Sequence, residues 1–168
     1  MEVTCRAVAN NPDPSIELTS ITGAARTLDD WATVFNLAVV LLPGRPEAAA
    51  WVPVIDRIYA TLGDSDVRTT VCVSANAAIT RRILGDAASR WLTFCDPDQR
   101  LATGLGLERL PAFVHLRQDT SLVTVAQGWS ASEWQRVADE IAKKQHWSSP
   151  HVAAPGNPRA TPGWALTV

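Results

Sequence analysis

The stretch that decides the fold is Phe94–Leu116, which reads FCDPDQRLATGLGLERLPAFVHL. The apolar run Trp91–Cys95 leads into it and predicts a β-strand. Asp96, followed by a proline, then predicts a helix start, because its carboxylate can accept an unpaired N–H of the first turn. Glycines end this short helix, and Ala112–Leu116 predicts the next strand. A strand, a helix and a second strand therefore follow one another within one short segment.

The same alternation extends in both directions along the chain. Asn36–Leu42 and Val67–Val73 are apolar at consecutive positions, which is typical of strands buried on both faces of a parallel sheet. Leu122–Ala126 completes a hairpin with Ala112–Leu116. Predicted helices occupy Pro46–Leu62, with a kink at Pro53, then Ala75–Ser89 and a segment that follows the capping box Ser130–Glu133. The pattern predicts an α/β fold with a central mixed sheet and helices on both faces.

Composition limits the function classes. The chain has 168 residues, of which 46% are hydrophobic and 19% charged, with a formal net charge of −2. This length and composition suit one globular domain, and a nucleic-acid-binding protein would carry a basic surface instead. No segment predicts a signal peptide, a membrane span or affinity for a membrane surface, so we expect a cytoplasmic protein.

The three cysteines, Cys5, Cys72 and Cys95, are far apart in sequence. An odd, dispersed set argues against both a disulfide framework and a zinc site. The sequence contains no Ser/His/Asp arrangement, paired carboxylates or phosphate-binding loop that would predict catalysis. We therefore expect neither a metal nor a cofactor.

The order of these elements resembles the thioredoxin superfamily, in its redoxin branch of the alkyl hydroperoxide reductase and thiol-specific antioxidant type and their thiol-disulfide relatives. Three stretches carry the resemblance: Leu37–Tyr59 with its internal Pro53, Phe94–Leu116, and Gly128–Ala142. The resemblance implies a thioredoxin-like fold over roughly residues 20–145. It also implies that Pro111 is the family's cis-proline, preceded by Leu110 and facing the active-site turn.

The chain departs from that family at the active-site turn itself. Counting back from Pro53 places Arg45-Pro46-Glu47-Ala48 where the family has Cys-x-x-Cys. A dithiol oxidoreductase needs a nucleophilic thiolate and a second thiol that resolves the mixed disulfide, and neither Arg45 nor Ala48 provides one. Residues 43–53 also lack the cysteine that a peroxiredoxin requires. The sequence therefore predicts a domain without the family's usual redox chemistry.

The preferred hypothesis is a redox-inactive thioredoxin-like domain that binds a protein or peptide, as a chaperone, adaptor or complex subunit. Arg45 and Glu47 would form one lip of a groove opposite Leu110 and Pro111, although a charged helix start explains the pair equally well. Of the seven tryptophans, Trp147 and Trp164 are the candidate contact residues, which would hold the C-terminal tail or engage a partner.

Two alternatives stay open. A single-thiol oxidoreductase or antioxidant would use Cys95, which ends a strand just before a helix. The adjacent aspartates oppose its ionisation, and a small half-buried core residue is the simpler interpretation. A small-molecule site in the groove between Arg45 and Pro111 is the other alternative.

The chain divides by composition into three parts. Residues 1–19 form an N-terminal extension, and residues 20–147 form the thioredoxin-like domain. Residues 148–168 are rich in proline and nearly free of charge, so they predict an extended C-terminal tail rather than a regular element.

Overall fold

The computed structural model describes residues 9–167, so Cys5 lies outside the described residues. The strands are β1 (Glu17–Ser20), β2 (Ala25–Thr27), β3 (Asn36–Leu42), β4 (Val67–Val73), β5 (Leu92–Cys95), β6 (Arg109–Leu110), β7 (Ala112–Leu116), β8 (Leu122–Gln127) and β9 (Trp164–Ala165). The α-helices are α1 (Leu28–Ala32), α2 (Val52–Leu62), α3 (Ala77–Leu84), α4 (Arg100–Gly104) and α5 (Ala131–Lys144). Two 3-10 segments precede α2 (Pro46–Trp51) and follow α3 (Gly85–Ser89).

Seven strands form one mixed sheet in the order β2-β1-β5-β4-β3-β7-β8. The three strands β3, β4 and β5 run parallel, whereas β1, β2, β7 and β8 pair antiparallel with their neighbours. The predicted α/β class and mixed sheet are confirmed. Within residues 9–167, no helix is long and apolar enough to cross a membrane.

The sheet separates two cores because side chains alternate along its strands. On β3, Ala38, Val40 and Leu42 face the core beneath α2, α3 and α5. The intervening residues of β3 face the core beneath α1 and α4. Burial on both faces explains why this strand is apolar at every position from Leu37 onward.

The structure corrects the prediction of one kinked helix over Pro46–Leu62. Pro46–Trp51 forms a 3-10 segment, and α2 begins only at Val52. Pro53 therefore lies in the first turn of α2, where an α-helix needs no N–H from it, so it removes no hydrogen bond from that helix. Pro46 is thus the first residue of the 3-10 segment, and Pro53 is the second residue of α2.

Two further helix boundaries differ from the prediction. The α-helical part of Ala75–Ser89 is only Ala77–Leu84, since Gly85 has a φ of 58° and ends the regular helix. The helix predicted directly after Asp96 begins at Arg100 instead. The Asp96 carboxylate nevertheless accepts the backbone N–H groups of Arg100 and Leu101, at 3.1 and 3.0 Å.

The C-terminal tail lies on the domain along its length. Val152 is fully buried in the core beneath α2, α3 and α5. Further on, Thr161 and Trp129 exchange two backbone hydrogen bonds, and β9 pairs antiparallel with β6. The sequence did not predict the two-residue strands β6 and β9, which are too short to show a period.

Candidate functional site: a groove occupied by the tail

The first wall of the groove is the turn after β3. A Cβ on Gly44 would lie 2.2 Å from the Ser74 carbonyl oxygen, so only glycine lets this turn approach the end of β4 so closely. Arg45 follows in an extended conformation and precedes Pro46, which begins the 3-10 segment. The local sequence therefore fixes Arg45 at the rim, while Ala48 is fully buried behind it.

The opposite wall is the segment from β6 into β7. The Leu110–Pro111 peptide bond is cis. The Pro111 carbonyl accepts the Gly128 N–H at 2.8 Å, which ties this wall to the end of β8. The Leu110 side chain is buried in the core beneath α1 and α4, so what this wall offers a ligand is mainly backbone.

Residues of the tail fill the space between these walls as a β-strand. Trp164 pairs with Leu110 and Ala165 with Arg109, and the Leu166 N–H donates to the Glu108 carbonyl at 3.0 Å. The Arg109 guanidinium also donates to the Gly163 carbonyl at 2.7 Å. The groove therefore holds an extended peptide segment, which is part of the chain itself.

The indole of Trp164 connects the two walls. The guanidinium carbon of Arg45 lies 4.7 Å from the centre of its ring, a cation–π contact. Trp51 meets the same ring edge to face at 5.9 Å between centroids. Arg45 also forms an ion pair with Glu47 at 3.4 Å. The pKa of the Glu47 carboxyl is below its usual value because its own backbone N–H and the Arg45 side chain hydrogen-bond to it.

The structure brings five of the six predicted binding residues to the groove: Arg45, Glu47, Leu110, Pro111 and Trp164. Trp147 lies elsewhere, with its indole N–H donating to the Thr61 carbonyl at 2.8 Å. Thr61 is at the far end of α2, whose 11 residues span about 16 Å. Trp147 therefore holds the start of the tail and does not contribute to the groove.

Sequence reasoning missed three contacts of this site: Gly163 beneath the Leu110 carbonyl, Thr161 against Trp129, and Thr167 against Gln99. The available signal was the segment Gly163-Trp164-Ala165, a bulky aromatic between two small residues in an otherwise irregular tail. No local pattern could show which part of the domain it contacts.

Two cavities are relevant to ligand binding. One, of about 400 Å³, lies beside Trp164 and is lined by Arg45, Glu47, Ser74 and Gln99 among others. The larger, of about 800 Å³, shares no lining residue with it and lies near β5 and α3, between Trp31, Trp91, Arg68 and Arg81. The groove is distinguished from this larger cavity by a peptide segment bound within it.

The two described thiols lie outside the groove. Cys72 is buried, and burial first, then the nearby Asp96 carboxylate, raises the pKa of its thiol well above the usual value. Cys95 is half-buried at the end of β5. In register, Cys72 pairs with Phe94 and Cys95 with Val73. Paired residues share a face of the sheet and sequence neighbours do not, so the two thiols project from opposite faces.

Among residues 9–167, no group of three or more His, Cys, Asp or Glu side chains has the proximity that a metal ion needs. The chemistry that this site offers is thus backbone hydrogen bonding, an aromatic pocket and one guanidinium group.

Comparison with known proteins supports the fold. No protein-family model matches the sequence, and no curated protein sequence matches it. Among solved structures, the thioredoxin domain of a thiol-disulfide oxidoreductase from Bacteroides vulgatus is similar at a TM-score of 0.63 and 10% identity, over 82% of this chain and 97% of that one. Peroxiredoxin Q of Xanthomonas campestris is similar at 0.62 and 12% identity, over 82% and 95%.

A secreted Mycobacterium tuberculosis disulfide oxidoreductase, described as homologous to E. coli DsbE, is similar at a TM-score of 0.60 and 15% identity. The similarity covers 77% of this chain and 96% of that one. Identities this low are evidence about fold and not about activity. The chain has a thioredoxin-like fold, which it shares with solved disulfide oxidoreductases and peroxiredoxins, and its sequence contains no Cys-x-x-Cys motif.

Proposed function

We propose that this protein binds extended protein or peptide segments in the groove between the Arg45 turn and Leu110–Pro111, without thiol chemistry. A chaperone, an adaptor or a subunit of a complex would each use such a site. The single observation that carries the proposal is the antiparallel pairing of β9 with β6 inside this groove. A surface that pairs with one extended segment has the backbone geometry to pair with another.

The position of the thiols supports binding over redox catalysis. The turn that faces Pro111 contains arginine and alanine where a thiolate and a resolving thiol are required. The Cys72 thiol is buried and its pKa is raised, so it supplies very little thiolate near neutral pH.

The groove combines two modes of recognition. The main-chain hydrogen bonds of β6 do not by themselves distinguish one extended sequence from another, because they involve no side chain of the ligand. The aromatic pocket formed by Arg45 and Trp51 selects among sequences, because a flat ring gains both an edge-to-face contact and a cation–π contact there.

The proposal is tested by selecting peptides from a random library against the native chain and measuring their dissociation constants by fluorescence anisotropy. We expect the triple variant Cys5→Ser, Cys72→Ala, Cys95→Ser to bind the selected peptides as tightly as the native chain does. In chains that carry Trp164→Ala, where no indole of the tail competes for the pocket, we expect Arg45→Ala to weaken the binding of aromatic peptides by about 3- to 10-fold, from the loss of one cation–π contact. A library that yields no groove-dependent peptide would contradict the proposal.

The second candidate function is single-thiol redox chemistry at Cys95. It is favoured by the partial exposure of Cys95 at the end of β5 and by the redox enzymes among the structures of similar fold. Peroxide consumption or disulfide exchange that Cys95→Ser abolishes and Cys72→Ala preserves would establish it. Equal activity in the chain without cysteines would eliminate it.

A further inference from the structure

We propose that residues 161–167 are a built-in ligand of the groove, which an external peptide with glycine followed by an aromatic residue must displace before it binds. This inference rests on the proposed function and adds to it a sequence preference and a means of controlling access. The occupant of the groove in the free protein is the chain's own tail.

The main-chain contacts of this segment begin beside β8. The Trp129 N–H donates to the Thr161 carbonyl at 2.8 Å, and the Thr161 N–H donates back at 2.9 Å. Gly128 allows this approach, since a Cβ there would lie 3.0 Å from the Pro162 carbonyl oxygen. The segment therefore enters the groove in a fixed register.

Gly163 defines the first position of the pattern. Its φ is 83°, and a Cβ at this residue would lie 2.2 Å from the Leu110 carbonyl oxygen. Both the backbone conformation and the lack of space exclude any other residue unless the strand moves. A competing segment that follows the same path needs glycine at this point.

Trp164 defines the second position of the pattern. The Trp164 indole occupies the pocket between Arg45 and Trp51. Ala165 is exposed and pairs with Arg109 through its backbone, so this position does not restrict the side chain of a ligand. Thr167 then donates from its hydroxyl to the Gln99 side-chain oxygen at 3.2 Å. The contacts of the Trp164 ring and the main-chain hydrogen bonds to β6 supply most of the interaction.

The depth of burial favours displacement of this segment and not of the whole tail. Within residues 161–167 every residue is half-buried or exposed, whereas Val152, earlier in the tail, is fully buried. The end of the tail can therefore leave while its start stays attached. A tethered ligand competes at an effective concentration of about millimolar. The apparent affinity of the native chain for an external peptide is therefore lower than the affinity of the empty groove for it.

The test uses full-length chains and a fluorescein-labelled peptide of residues 159–168. Gly163→Ala should displace the tail, and Gly156→Ala is its matched control. Gly156 lies in the same tail with a φ of 86°, but a Cβ there meets nothing within 4 Å. We expect Gly163→Ala to bind the peptide at least about 10-fold more tightly than the native chain and Gly156→Ala do. The same peptide with alanine in place of Trp164 should bind at least about 10-fold more weakly.

Hydrogen exchange at the Leu166 amide reports whether the tail has left, because that amide pairs with Glu108. Trp164→Ala is a second displacing variant. Faster exchange without a gain in peptide affinity would overturn the inference, and so would unchanged exchange in both displacing variants. Native dimers that exchange tails, detected by light scattering, would assign the occupant to a second copy and overturn it as well.

The outcome also separates this inference from the proposed function. If Gly163→Ala binds library-selected peptides but not the tail peptide, the inference fails and the proposed function stands. If Gly163→Ala binds neither kind of peptide, both the inference and the proposed function fail.

Discussion

His115 on β7 is a titratable residue in an apolar setting. It is fully buried, and neither ring nitrogen has a hydrogen-bond partner among residues 9–167. Burial, and then the positive charges of Lys144 and Arg117, lower its pKa from 6.5 to about 4. The folded protein therefore holds His115 neutral at pH values where the unfolded chain would bind a proton.

That difference predicts how stability depends on pH. The contribution of His115 is fully present above its unfolded pKa and is lost as the pH falls from about 6.5 toward 4, up to about 3 kcal/mol. Urea unfolding at pH 7 and pH 4.5 measures it. We expect His115→Leu to reduce the loss of stability between these pH values, whereas the exposed control His151→Leu leaves it unchanged. Equal pH profiles for both variants would contradict the assignment.

Among the elements, α5 has the most complete start signal, and the structure confirms it. The Ser130 hydroxyl accepts the Glu133 N–H at 3.1 Å, as the capping box predicts. Local signals of this kind act within one turn, so they can be recognised in sequence. The cap of α4 was less predictable, because Asp96 reaches first-turn N–H groups across an intervening turn.

The Ser130 cap should contribute measurably to the stability of the protein. Ser130→Ala should lower the free energy of unfolding by about 1 kcal/mol, because the Glu133 N–H loses its acceptor. Ser132→Ala is the control in the same turn: it removes the 3.4 Å contact between the Ser132 and Ser130 hydroxyls but keeps the acceptor of the Glu133 N–H, and alanine is the better helix former there. Chemical denaturation of both variants provides the comparison, and equal destabilisation would show that the Ser130 contact contributes nothing.

For the whole molecule, the question is whether the tail unfolds together with the domain. Val152→Ala should lower the free energy of unfolding by about 2 kcal/mol if it does, because the deleted methyl groups are fully buried. Val34→Ala makes the same deletion at a site that is 63% exposed and should change stability by less than about 0.5 kcal/mol. A negligible effect of Val152→Ala would mean that the tail detaches before the domain unfolds.

Some features of the whole molecule could be predicted from the sequence and others could not. Continuous apolar runs predicted the central strands β3 and β4, and the order of elements predicted the α/β class. The groove walls at Arg45 and Pro111 were predicted only through the family resemblance, since they are far apart in sequence. The occupant of the groove was not predictable, because pairing of Trp164 with Leu110 is a long-range contact between two two-residue strands.

The two edges of the large sheet are poorly suited to pairing with a strand from another chain. One edge ends in β2, a strand of only three residues. At the other, the Arg136 guanidinium donates to the Val125 carbonyl of β8 at 2.8 Å, and Asn11 accepts the Leu122 N–H. Short or blocked edges discourage the intermolecular strand addition that leads to aggregation. A strand from another molecule that adds at β6 must instead compete with the tail for the same hydrogen bonds.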